Sequence, residues 1–254
     1  MKVGAQMYTI REFCKTPENI VKSLERLAEM GVDCVHFSGC GPIDPKLLRE
    51  TCERLGIEII LTHIPFERLI NETDQVIEEH KLMGCKCIGL GAVPKEMRNS
   101  PEDIEAFLDM IKEPIAKIRA AGMRFNYHNH AYEFNRFNGK PIMEQILERY
   151  SAEEMGITLD TYWVHQSGAD LYPWIEKMSG RIAYTHIKDQ ILEPDGKTAK
   201  MAPIGDGHMN FPGIMAALKK AGTEYVFIEQ DYCYEQDPFE CLERSFAYLK
   251  SIGY

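Results

Sequence analysis

The stretch DPKLLRETCERLGIEIILTH, residues 44–63, contains a whole structural unit. Asp44 ahead of Pro45 places an N-cap side chain before a proline at the first helical position, and an amphipathic segment follows. Gly56-Ile57 supplies a left-handed C-cap and starts the next run. That run, 57–62, is short and largely apolar, as expected of a strand buried on both faces of a parallel sheet. A histidine, His63, stands where it stops.

The same unit recurs in both directions. Other strand-like runs are 3–8, 34–37, 87–90, 124–128, 157–160, 182–187 and 225–229. Thr16-Pro17 and Ser100-Pro101 repeat the helix start. Gly31-Val32, Gly122-Met123 and Gly156-Ile157 repeat the helix stop and strand start. With a last helix from 238 to about 252, the chain holds eight βα units. An open doubly wound sheet could also hold them, but no G-x-G-x-x-G follows the first strand. The expected fold is therefore α/β, a single (β/α)8 TIM barrel over residues 1–254. The longest βα loop, from Gln190 to about Asn210, contains Pro194, Gly196, Pro203, Gly205 and Gly207, and is expected to act as a lid or wall.

Length and composition agree with that fold. A chain of 254 residues suits one α/β barrel, and 44% hydrophobic with 27% charged residues is a globular balance. A net charge of −10 argues against a duplex nucleic-acid partner, which requires a basic stripe. The eight cysteines contain no C-x-x-C pair and several lie in apolar runs, so free thiols in a reducing compartment are expected. The N-terminus MKVGAQMYTI lacks a signal-peptide h-region, and no apolar stretch approaches the about 20 residues of a membrane span. These features predict a cytoplasmic protein without membrane contact. Oligomeric state stays open, with a homo-oligomer possible.

In a barrel of this kind, function sits at the C-terminal ends of the strands. Polar residues collect at those positions: Gln6 and Tyr8, His36, His63, His128 with Asn129 and His130, Glu133 just beyond, Asp160, His186 with Lys188 and Asp189, and Glu229 with Asp231. Five of the eight histidines (His36, His63, His128, His130 and His186) fall at strand ends. Asp160 ends the run ITLD and Glu229 ends VFIE. A carboxylate that continues an apolar run is costly to bury without a cation or hydrogen bonds. With His186 they form an O/O/N set suited to Mn²⁺, Mg²⁺, Co²⁺ or Zn²⁺. The competing reading makes them rim salt bridges to Lys188 or arginines.

Read together, QMYT, THIPFERL, YHNHAYEF, LDTYW with SGAD, HIKD, IGDGHMNF and FIEQD occur in order at successive strand ends and in the loop after the seventh. The chain in this respect resembles the xylose isomerase-like barrel superfamily, the sugar phosphate isomerase/epimerase group, over nearly its whole length. The resemblance implies one divalent ion, Mn²⁺ first among the choices, held by Glu133, Asp160, His186 and Glu229. His128 competes with Glu133 for the fifth-strand place, because many relatives carry the ligand glutamate where this chain has His128. His36 likewise stands where many relatives have a glutamate.

The chemistry so implied is metal-dependent isomerisation or epimerisation of a small keto-sugar, cyclitol or related carbohydrate through an enediolate. Glu229 or Glu133 would remove the proton alpha to the carbonyl. His130 and Lys188 complete the catalytic set. Gln6, Tyr8, His63, His128 and Trp163 are expected to bind substrate, with Phe66 as a further apolar wall. Loss of a β-hydroxyl would turn the same chemistry into a lyase of the inosose dehydratase type. Two other readings compete: a phosphodiesterase similar to endonuclease IV, which the acidic charge disfavours, and a sugar-binding barrel without catalysis.

Overall fold

In the computed structural model, which describes residues 1–254, the strands are β1 (Lys2–Gln6), β2 (Cys34–Phe37), β3 (Glu58–Ile64), β4 (Cys87–Leu90), β5 (Arg124–His128), β6 (Gly156–Asp160), β7 (Tyr184–Ile187) and β8 (Tyr225–Ile228). Each pairs in parallel with its sequence neighbours, and β8 pairs with β1, so the sheet closes into a barrel. Helices on the outside connect the strands. This is the expected (β/α)8 architecture.

The helix starts read from sequence are formed as side-chain caps. Thr16 accepts from the Asn19 amide, Asp44 from the amides of Lys46 and Leu47, and Ser100 from that of Asp103. Gly56 closes its helix with a left-handed φ of 69°. Gly156 departs from expectation. It opens β6 without a left-handed φ, and its reason is space: a Cβ there would lie 2.6 Å from Asn126 Oδ1.

Two other expectations need correction. β1 stops at Gln6, and residues Met7–Phe13 form a 3-10 helix, so Tyr8 belongs to the loop. The long loop after β7 is also more ordered than a simple lid. Its first half is an antiparallel hairpin, Asp189–Leu192 against Ala199–Ala202. Its second half wraps around the buried Asp189 carboxylate, which accepts from the amides of Gly205, Gly207 and Met209. The backbone concavity at Gly205–Gly207 is thus filled by the protein's own anion.

Barrel interior and exterior form separate apolar cores. Helices and strands share a large outer core that includes Leu24, Phe107, Ile157 and Phe211. Cys34, Ile60, Leu61, Cys87, Tyr184 and Phe227 form a second cluster. The Phe227 ring is 5.6 Å from that of His36, so this cluster floors the polar chamber above it. All eight cysteines are free thiols. No helix is long and apolar enough to cross a membrane.

Candidate active site and metal centre

Register decides which strand-end residues meet. Asp160 on β6 is directly beside His186 on β7, and Gln6 on β1 is beside His36 on β2. Side chains alternate along a strand, so a residue two positions on returns to the same face. Lys188 thereby follows His186 inward, and Asp231 follows Glu229. On the far side, Gly89 makes room for an imidazole: a Cβ there would come within 2.8 Å of His63 Cδ2.

At the centre, ligating atoms of His128, Asp160, His186 and Glu229 all lie within 4.8 Å of one another, and all four residues are buried. His128 Nε2 is 3.2 Å from Asp160 Oδ2, and His186 Nδ1 is 2.9 Å from Glu229 Oε2. The second contact lacks hydrogen-bond geometry, and both of its atoms are buried without a hydrogen-bond partner. The opposite nitrogen of each ring is anchored. His128 Nδ1 lies 3.0 Å from the Gly91 carbonyl oxygen, to which it must donate. His186 Nε2 lies 2.7 Å from His36 Nδ1.

Those anchors allow a test of metal fit. With Nδ1–H given to Gly91, a neutral His128 turns its Nε2 lone pair on the Asp160 carboxylate. That approach is repulsive unless a proton or a cation lies between them. The same holds for His186 Nδ1 and Glu229 Oε2 when His186 Nε2 donates to His36. Anchoring of the distal ring nitrogen is the usual outer-shell arrangement of a metal-bound histidine. A metal about 2.1 Å from each donor sets neighbouring donors roughly 3 Å apart, as in the His128–Asp160 and His186–Glu229 pairs. The residues therefore fit a divalent ion with two nitrogen and two oxygen donors. His36 carries a direct prediction: His36→Phe should weaken metal affinity by roughly 10–100-fold, measured by calorimetric titration. Unchanged affinity would show that His36 does not orient His186.

The electrostatics favour a cation in this place. Lys188 Nζ lies 3.0 Å from Asp160 Oδ2, 3.0 Å from Glu229 Oε2 and 2.9 Å from Asp231 Oδ1. Burial alone would lower the Lys188 pKa, but Asp160, Glu229 and Asp231 outweigh it and hold the ammonium charged. Burial also opposes ionisation of Asp160, and Lys188 with His128 reverses this, so its pKa lies below the ordinary value. Burial and Glu229 raise Asp231 to about 6. Burial keeps His36, His63 and His186 neutral and pushes His130 down to about 2. Burial works against protonation of His128 as well, but its hydrogen bond to Asp160 raises it overall. Three carboxylates facing one ammonium leave a net negative chamber.

Glu133 lies outside the group of converging ligand atoms, in which β5 is represented by His128, the competing candidate for the fifth-strand place. It is fully buried in a 3-10 turn, accepts from the Tyr127 hydroxyl, and accepts from the His130 amide at 2.8 Å. Burial raises its pKa. Both oxygens accept hydrogen bonds that hold the loop. Glu133→Ala would strand the His130 amide, at a cost of about 1–3 kcal/mol, and leave the Tyr127 hydroxyl only its contact with the Tyr132 hydroxyl. Thermal unfolding should show a clearly lowered Tm. An unchanged Tm would mean the loop is held by other contacts.

Above the cluster opens a cleft of about 450 Å³ whose lining includes Tyr8, His63, Phe66, His128, His130, Lys188, Glu229 and Asp231. Nε2 of His63 and Nδ1 of His130 in its lining, and Nε1 of Trp163 beside His130, are buried without partners. Lys188 Nζ lies 5.3 Å from the Trp163 ring centre, and Trp163 packs 5.6 Å from His130. Tyr8 sits at the rim with Arg11 across its ring at 4.1 Å. Gln6 is buried below, its amide nitrogen 3.5 Å from His186 Nε2. Of the polar residues named from sequence at the strand ends, Glu133 and Asp189 hold loops. His36 and Asp231 appear in the site without having been given a role there. For Asp231 a signal was present, since it stands two residues beyond Glu229 and so on the same face. His80, by contrast, is buried behind the barrel, bonded to Thr62 and the Val76 carbonyl.

Comparisons with known proteins agree with this architecture. A sugar phosphate isomerase/epimerase from Parabacteroides distasonis ATCC 8503 is 23% identical, with a TM-score of 0.79 over 98% of this chain and 93% of that one. An L-ribulose 3-epimerase is 16% identical, with a TM-score of 0.77 over 99% and 94% of the two chains. An IOLI protein with a bound zinc atom is 16% identical, with a TM-score of 0.75 over 99% and 98%. Identities this low carry the fold alone. No curated protein matches the sequence significantly. A family profile for xylose isomerase-like TIM barrels matches residues 24–252, and the chain belongs to that family.

Proposed function

We propose that the protein is a divalent-metal-dependent isomerase or epimerase acting on a small keto-sugar, cyclitol or related carbohydrate. The observation that carries the reading is the pair of buried nitrogen–carboxylate approaches, His128 to Asp160 and His186 to Glu229, with the distal ring nitrogens anchored. His128, Asp160, His186 and Glu229 would hold the ion. Two imidazoles shift preference away from Mg²⁺ and towards Mn²⁺, Co²⁺ or Zn²⁺, with Mn²⁺ our first choice. The bound ion would supply Lewis-acid polarisation of a carbonyl and its neighbouring hydroxyl.

The chain's own groups then divide the work. Glu229 lies just past the end of β8 and lines the cleft, and with Oε2 turned to His186 and the ion, its other carboxylate oxygen is left for the substrate. It is the base placed to take the proton alpha to the carbonyl. Lys188 would donate to the substrate oxygen on which negative charge develops. His63 and His130, neutral and unpartnered, would accept or donate at sugar hydroxyls, and Tyr8, Phe66 and Trp163 would cover the apolar face of the ring.

Solvent deuterium tests this reading. Metal-loaded protein incubated in D₂O with a panel of keto-sugars and inososes should place label at the carbon next to the carbonyl of one class. Metal-stripped protein should place none. Loss of water from a substrate that gains label would assign the protein to the dehydratase branch. No label across the panel in metal-loaded protein would overturn the proposal.

A further inference from the structure

The ammonium of Lys188 occupies ground that a bound cation also needs. Its three short contacts include Asp160 Oδ2 and Glu229 Oε2, the oxygens that face His128 and His186. The third partner is different. Asp231 meets Nζ with both oxygens, at 2.9 and 3.1 Å, and has no atom in the ligand cluster. Lys188 is 1% exposed, so water offers it no alternative.

We infer that Lys188 is a built-in counter-ion competing with the divalent ion for Asp160 and Glu229, and that Asp231 is where its ammonium stays when the ion is bound. The inference rests on the metal-site reading above. Without an ion the three buried carboxylates would repel one another, and the ammonium that touches all three offsets that repulsion. When an ion enters, Nζ withdraws from Asp160 and Glu229, keeps the two-oxygen contact with Asp231, and remains against the Trp163 ring. Lys188 thus, besides its role toward substrate, sets how readily metal is taken up or lost. The barrel can fold before it is loaded, and loading is resisted by a charge already in place.

The test compares Lys188→Met with the wild-type chain, using Mn²⁺ and Zn²⁺ titrations of metal-stripped protein and Tm with and without metal. Removing a like charge a few ångströms from the ion should tighten binding by roughly tenfold or more. The Tm of the metal-free variant should fall while that of the loaded variant stays near wild type. Arg98→Gln serves as the control: Arg98 lies over the Tyr132 ring near the mouth and contacts none of these carboxylates. A general field effect would tighten binding comparably in both variants, and that result overturns the inference. Unchanged or weaker binding in Lys188→Met, or an unchanged metal-free Tm, also overturns it. Failure of the wild-type chain to bind either ion is a separate outcome and would sink the metal-site reading itself.

Discussion

Glu229→Gln should leave a folded barrel whose turnover is reduced by about 10²–10⁴-fold, the usual contribution of a positioned general base, with metal binding weakened as well. Glutamine keeps the shape of the side chain and one carbonyl oxygen but cannot accept the proton. It also removes the charge that faces Lys188 Nζ, now 3.0 Å from Glu229 Oε2. The loss should therefore appear in kcat and persist at saturating metal, because extra ion restores occupancy but not basicity. Deuterium wash-in at the substrate carbon is the sensitive readout. Near-normal turnover with excess Mn²⁺ would remove Glu229 from the role of base.

Asp160→Asn should act through the ion. Asp160 is wholly buried, and its two oxygens have separate tasks. Oδ1 caps the following helix by accepting from the Trp163 amide, which asparagine can still do. Oδ2 faces His128 and Lys188. Losing that charge should lower metal affinity by roughly 100-fold or more, beyond the 10–100-fold typical of outer-shell changes, and turnover should fall with occupancy. The metal-free fold should lose less than the about 3–5 kcal/mol of a broken buried ion pair, because Glu229 and Asp231 still neutralise Lys188. High metal concentration should rescue part of the activity of Asp160→Asn and little of that of Glu229→Gln. The contrast separates a residue that only holds the ion from one that also takes the proton.

The barrel was legible in the sequence because its signals are local. A cap such as Asp44-Pro45, a stop such as Gly56 and an apolar run such as Cys34–Phe37 each depend on a few adjacent residues. Gly156 shows the limit, since its glycine answers to Asn126 on the neighbouring strand, which no local pattern records. Site membership was nearly as legible, because strand ends at one mouth must converge. Division of labour within the site was not. Glu133 and His128 are five residues apart, and sequence spacing does not say which one the chain turns inward. The outcome follows from the 3-10 turn at Tyr132–Phe134, which buries Glu133 against Tyr127 and the His130 amide. The loop at Gly205–Gly207 is set in the same way, as its amides close on Asp189, 16 and 18 residues earlier.

The most direct measurement is a calorimetric titration of metal-stripped protein with Mn²⁺ and with Zn²⁺, accompanied by Tm. One ion per chain with a raised Tm, both lost together in an Asp160→Asn, Glu229→Gln double variant, is the result expected of a site built from those side chains. No binding, or saturable binding that survives the double substitution, would contradict it.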